Sequence, residues 1–167
     1  LLHHNSADEF LTVTEVLGTL VAMKGPWGHD VSNREIRTSL NGSAKALGLW
    51  PKLDARVSTL TQLERRKLMI GCAVARLHGA IFFDDILQGL EAHDSLELMS
   101  CLRWIAEAGR IVALTMSQAS PDQYDLVDHL VVLSKGHVLY NGPSSQMGDF
   151  ISRLGFQIGR ASCRERV

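Results

Sequence analysis

Two carboxylates, Asp84 and Asp85, stand side by side in the stretch AIFFDDILQGLEAHDS, residues 80–95, directly after an apolar run. An acid at the end of a buried strand can hold a divalent cation. A second acid beside it can orient and deprotonate a water molecule. The same pair could close a turn or cap a helix, because Asp side chains readily bond nearby backbone in non-helical conformations. What the neighbouring segments bring to the strand end decides between these readings.

Those segments alternate. AIFFD is a short continuous apolar run, as expected of a strand buried on both faces. DSLELMSCLRWIAEAG has a helical apolar period, with Asp94 or Ser95 at its start, Glu97 in the first turn and Gly109 past its end. RIVALTM is a second buried strand. Strand, helix and strand in succession predict a βαβ unit, and so a parallel sheet covered by helices. Ligands in open α/β sheets sit at the carboxyl ends of the strands, where Asp84, Asp85 and Ser117 all fall.

The rest of the chain frames this unit. Residues 11–23 predict a helix capped by Thr12 or Thr14, residues 24–33 a loop, and residues 33–49 a further helix ending near Gly48. After a connector, LERRKLMIGCAVARLHG predicts a long helix stopped by Gly79. Its Leu68, Cys72, Val74 and Ala75 should face the core, and Arg65, Arg66 and Lys67 the solvent. Beyond the second strand, a short helix near residues 121–127 precedes HLVVLSKGHVLYNGP, a hairpin turning at Lys135-Gly136.

Composition excludes several classes. With 167 residues, 46% hydrophobic and 21% charged, the chain suits one ordered domain. A net charge of -1 provides no electrostatic basis for nucleic-acid binding. Cys72, Cys101 and Cys163 form no CxxC pair, which argues against a disulfide framework or zinc site and for a reducing, cytoplasmic setting. The seven histidines have no ligand spacing. No apolar run is long enough to span a membrane, so direct insertion of this segment is not expected. Trp27, Trp50 and Trp104 read as core or interface aromatics. Ser117 lacks the GxSxG setting of a hydrolase nucleophile.

Both ends read as boundaries that are not native. LLHH enters in mid-domain, and residues 158–167 resemble the translation of a sequencing-adapter oligonucleotide. That tail, with Arg160, Cys163, Arg164 and Arg166, is set aside from fold reasoning. A basic tail for nucleic acid is the competing reading.

From about residue 11 to 156 the chain resembles the nucleotide-binding domain of ATP-binding-cassette (ABC) transporters of the G subfamily, the white and pleiotropic-drug-resistance type. LTVTEVL is similar to that family's LTVxExL segment. LTQLERRKLMIG falls where the family has a signature helix of the form VSGGERKRVSIG. AIFFDDILQGLEAHDS overlays ILFLDEPTSGLDS without a gap. GRIVALTMSQASPDQYDLVDHLVVLSKGHVLYNGP follows GRTVIxTIHQPSSxIFxLFDxLxLLSxGxxVYxGP, and MGDFISRLGF matches the short helix after it.

The resemblance implies an α/β fold with a P-loop-type parallel sheet, and a helical subdomain over about residues 11–78. The Walker B to switch region and its following hairpin would occupy about residues 79–157. The first strands and P-loop would precede residue 1, since no GxxxxGK[ST] occurs in the chain. The implied cofactors are ATP and Mg²⁺. The implied partners are a second nucleotide-binding domain and the transporter's transmembrane domain, at the cytoplasmic face of a membrane.

Residue by residue, the match is fuller in scaffold than in chemistry. Asp84 takes the Walker B position for the metal. Asp85 stands for the catalytic glutamate, withdrawing the carboxylate by about 1.5 Å. Ser117 replaces the switch histidine and cannot supply an imidazole. Thr61, Gln62 and Leu63 replace Ser-Gly-Gly of the signature, and Glu64 is kept. Glu91 replaces the D-loop aspartate. The Q-loop glutamine falls at His3 or His4 and is absent at either. These substitutions strike the chemistry and spare the strands and helices, so a degenerate, low-turnover half of an exporter of lipids or amphipathic compounds is expected. A pseudo-ATPase serving as a structural or regulatory module is the alternative, and an active ATPase with Asp85 as base the third reading.

Overall fold

The computed structural model describes residues 10–22, 38, 41–42, 44–75 and 79–155. His3, His4, Trp27 and residues 158–167 lie outside these residues, and with them the expected Q-loop position, the Trp27 aromatic and the tail. The chain divides into two compact units, Leu1–Gln118 and Ala119–Val167.

In the first unit, helix α1 (Val13–Ala22) starts at a capping box. Glu15 Oε2 accepts from the Thr12 backbone N–H at 2.8 Å, and Thr12 Oγ accepts from the Glu15 N–H at 3.3 Å. Thr12 is therefore the cap, satisfying two orphan donors reciprocally. The Thr12 backbone N–H, and then its hydroxyl, hold the Glu15 carboxyl below its usual value. The chain returns beside this turn through short 3₁₀ segments at Trp50–Lys52 and Val57–Thr59. Val13 N–H donates to Ala55 O, and Val57 N–H to Leu11 O.

Helix α2 (Gln62–Ala75) packs on α1, and its Leu68 and Ile70 are buried. Gly71 permits the close approach: a Cβ there would lie 3.1 Å from Leu47 Cδ1. Contrary to the sequence reading, Lys67 is not solvated but buried, and its ammonium pairs with Glu97. A lysine stem packs against apolar neighbours while its head finds a carboxylate on another helix, a partner that no local pattern announces. Arg65 is likewise engaged, donating to Leu60 O at 3.1 Å and Ser58 O at 2.9 Å.

Strand β1 (Ala80–Phe83) pairs in parallel with β2 (Ile111–Leu114), in the register Ala80–Ile111 to Phe83–Leu114. Helix α3 (Ala92–Glu107) connects them, completing the βαβ unit. Its core face carries Leu98, Met99, Leu102 and Ile105. The helix starts earlier than expected: Glu91 is its N-cap, without a side-chain cap bond, and Asp94 lies in the first turn. Asp94 there suits the positive end of the helix dipole.

The strands are not buried on both faces. Ile81 is 6% exposed, whereas Phe82 is 78% and Ile111 67% exposed. Alternating side chains put Ile81 and Phe82 on opposite faces, and among the described residues only one face is covered. Burial raises the Cys101 thiol pKa; Lys67 nearby pulls it down and Glu97 raises it.

In the second unit, helix α4 (Pro121–Tyr124) starts at a Ser120/Gln123 capping box with proline in its first turn. Strands β3 (His129–Ser134) and β4 (His137–Pro143) form an antiparallel hairpin. Lys135 and Gly136 both have positive φ, 48° and 79°, the requirement of a two-residue type I′ turn. Helix α5 (Met147–Arg153) follows, and the Phe150 ring packs against Tyr140 at 5.0 Å, tilted by 50°.

Candidate functional site

The sheet ladder delivers the two aspartates. Thr115 N–H donates to Phe83 O at 3.0 Å, so the ends of β1 and β2 emerge together. The Thr115 hydroxyl then donates to Asp84 Oδ1 at 2.5 Å and accepts from the Asp85 backbone N–H at 2.9 Å. One side chain thus holds both the Asp84 carboxylate and the backbone of the residue after it. Thr115 escaped the sequence reading. Its only signal was a hydroxyl at the end of β2, opposite an acid whose register could not be known.

Asp85 adopts φ 47°, a left-handed conformation that L-residues seldom take and Asp tolerates better than most. Its carboxylate has no hydrogen bond or ion pair among the described residues. Residues 85–90 run in tight turns, with Gln88 N–H donating to Asp85 O and Leu90 N–H to Leu87 O. Buried Ile86 and Leu87 anchor the loop. Glu91 ends it as an exposed N-cap of α3. Ser117 is exposed just beyond β2.

Thr61, Gln62, Leu63 and Glu64 form the first turn of α2. Thr61 and Glu64 make a reciprocal capping box, with Thr61 N–H donating to Glu64 Oε2 at 2.9 Å and Glu64 N–H to Thr61 Oγ at 3.2 Å. Lys52 Nζ lies 3.6 Å from Glu64 Oε1. Two donors at this helix start are therefore satisfied within the chain. Gln62 and Arg66 reach the Gln88 carbonyl, joining this turn to the acid loop.

The donor set at Asp84 suits Mg²⁺, which one or two carboxylates with water and phosphate oxygens commonly hold. Asp84 is the residue that would hold it, with the Oδ1 lone pair nearest Thr115 already engaged. Among the described residues no cluster of three His, Cys, Asp or Glu forms, so no all-protein cage is present there. Also among them, no helix is long and apolar enough to cross a membrane.

A change of Thr115 to valine keeps the shape and removes both bonds. Hydrogen bonds to charged groups are worth roughly 1.5–3 kcal/mol, and exposure of Asp84 puts the expected loss near the lower limit, about 1–2 kcal/mol. Urea unfolding should show this for Thr115→Val and about half or less for Thr115→Ser, which keeps the hydroxyl.

Comparison with known proteins agrees with this fold. No family model matches the chain. It is 28% identical over 158 residues to the ABC transporter patM of Penicillium expansum, spanning 91% of this chain and 11% of that protein. It is 28% identical over 153 residues to ABC transporter G family member 1 of Dictyostelium discoideum, spanning 87% of this chain and 19% of that protein. To G family member 3 of the same organism it is 38% identical over 97 residues, 56% of this chain and 7% of that protein. The chain thus spans a small part of the relatives it matches. Among solved structures, a nucleotide-free ATP-binding cassette from an ABC transporter superposes with a TM-score of 0.71 at 17% identity, covering 89% of this chain and 62% of that one. The ADP conformation of an ABC transporter cassette gives 0.70 at 16% identity, covering 83% and 57%. The chain has the fold of ABC ATP-binding cassettes, built on the P-loop NTPase-type sheet, and in sequence it is similar to ABC transporters of the G family.

Proposed function

We propose that this chain serves as the low-turnover half of a G-type ABC transporter, coupling ATP to the export of lipids or amphipathic compounds. The observation that supports it most directly is the Asp84 carboxylate, oriented by Thr115 at the carboxyl end of a parallel strand pair. A cation accompanying a nucleotide would be held there by the Asp84 carboxylate. Mg²⁺ bound there supplies neutralisation of the phosphate charge. Asp84 would hold it, Thr115 would keep the carboxylate turned, and Asp85 would hold a water through a shortened side chain.

Three features argue for low turnover. Asp85 reaches less far than a glutamate, Ser117 carries no imidazole, and the first turn of α2 presents Gln62 and Leu63 where a partner's phosphate needs bare backbone N–H groups. The matching site would be completed by a second nucleotide-binding domain and driven against a transmembrane domain, placing the chain at the cytoplasmic face of a membrane. The self-closed Thr61/Glu64 box favours a second reading, a pseudo-ATPase used only as an interaction module.

The test is ATP hydrolysis by the assembled transporter, with the catalytic glutamate of the partner domain mutated and its signature intact. Turnover at or below about 1% of a two-site-competent transporter is expected. Substantial turnover that persists there and disappears on Asp85→Asn would overturn the low-turnover reading. ATP-independent pairing of the domains would favour the pseudo-ATPase.

A further inference from the structure

The first turn of α2 and the acid loop share one acceptor. The Gln88 carbonyl accepts from Gln62 Nε2 at 3.5 Å and from Arg66 Nη2 at 3.4 Å. A carbonyl oxygen has two lone pairs and can serve both donors. Gln62 and Arg66 are four residues apart on α2, so they lie on one helix face and reach the same place. Each bond alone is long and exposed. Together they span the gap between two loops that are remote in sequence.

Gly89 completes the fit. Its φ is +78°, and a Cβ there would stand 3.0 Å from Gln62 Nε2. On the far side of the loop, Gln88 N–H donates to Asp85 O at 3.1 Å, and Asp85 N–H to Thr115 Oγ at 2.9 Å. The same hydroxyl donates to Asp84. A continuous run of hydrogen bonds therefore leads from the Asp84 carboxylate to the first turn of α2.

We propose that Gln62 and Arg66 form a latch within the chain, fastening the first turn of α2 to the loop that carries Asp85, with the Gln88 carbonyl as its catch. The latch goes beyond the functional reading above, because it is made of contacts internal to this chain and requires neither nucleotide nor partner. It depends on a side chain at position 62; a glycine there has nothing to donate. With the latch closed, Thr61 and Leu63 move with Asp85 as one body. A shift of the acid loop then reaches the helix start through the Gln88 carbonyl and not through the core.

Amide hydrogen exchange on the full chain tests this. Gln62→Ala with Arg66→Met is expected to speed exchange at Gln88 and Leu90 by about 5-fold, the effect of losing one net exposed hydrogen bond. The amides of Ile70 and Leu98 should be unchanged, which also verifies that the variant is folded. Independently, Gly89→Ala should lower the urea midpoint more in the parent chain than in a Gln62→Ala background, where the added methyl meets no amide. Exchange at Gln88 and Leu90 within about 2-fold of the parent, or equal Gly89→Ala effects in the two backgrounds, would overturn the latch. Neither readout involves ATP, so loss of the transporter reading leaves them unaffected.

Discussion

Asp85→Glu combined with Ser117→His is expected to raise ATP turnover at this site by about 10²-fold in the assembled transporter, the penalty of a misplacement of about 1 Å. Each change alone should give less than about 10-fold, since groups that act as a unit are strongly non-additive. The structure supplies the reason for pairing them. Asp85 and Ser117 leave the carboxyl ends of adjacent parallel strands, one just after β1 and the other just after β2. On the proposed function, lengthening the acid alone would restore reach toward a water but leave the phosphate side without an imidazole. It also places a glutamate at φ 47°, a conformation better suited to Asp, at a stability cost of about 1 kcal/mol. The measurement is steady-state phosphate release by the two single variants and the double, with the partner's catalytic glutamate mutated throughout. A double variant no faster than its better single would show that another substitution, such as Gln62 and Leu63 in α2, limits the site.

Leu98→Ala should be among the most damaging of the simple truncations, at about 3–5 kcal/mol. Leu98 is 0% exposed on the face of α3 that forms the core. Its removal leaves a cavity that the flanking Met99, Leu102 and Ile105 can fill only in part. Against a total stability of roughly 5–15 kcal/mol, that loss is a large share. Urea unfolding should therefore show a much lower midpoint at unchanged slope. Phe82→Ala is the control within the same chain. Phe82 is larger but 78% exposed, so its truncation should shift stability by no more than about 0.5 kcal/mol. Comparable losses at both positions would contradict the one-sided burial of β1.

The parts of the fold that could be read in advance are those governed by neighbours in sequence. Thr12-x-x-Glu15 and Ser120-x-x-Gln123 close boxes that their spacing permits, and Lys135-Gly136 meets the backbone demand of a two-residue hairpin turn. Strand, helix and strand between Ala80 and Leu114 follow from a change of hydrophobic period. The start of α3 was harder, because Asp94 and Ser95 are favoured cap types whereas Glu91 is not. Only the backbone conformation of Glu91, φ -66° and ψ 161°, singles it out.

The candidate site divides along the same line. The apolar run before them locates Asp84 and Asp85 at a strand end, and the family resemblance marks Ser117, Gln62 and Leu63 as side chains poorly suited to phosphate chemistry. That much follows from the length, charge and donor set of each side chain, which do not depend on the fold. Tertiary structure alone decided that Thr115 turns the Asp84 carboxylate, that Lys67 is buried against Glu97, that Phe82 faces outward, and that Gln62 and Arg66 meet at Gln88. The contacts among these span more than twenty residues of chain each. Such contacts depend on strand register and helix packing, which are set by the summed burial of the whole core and not by any single stretch of sequence.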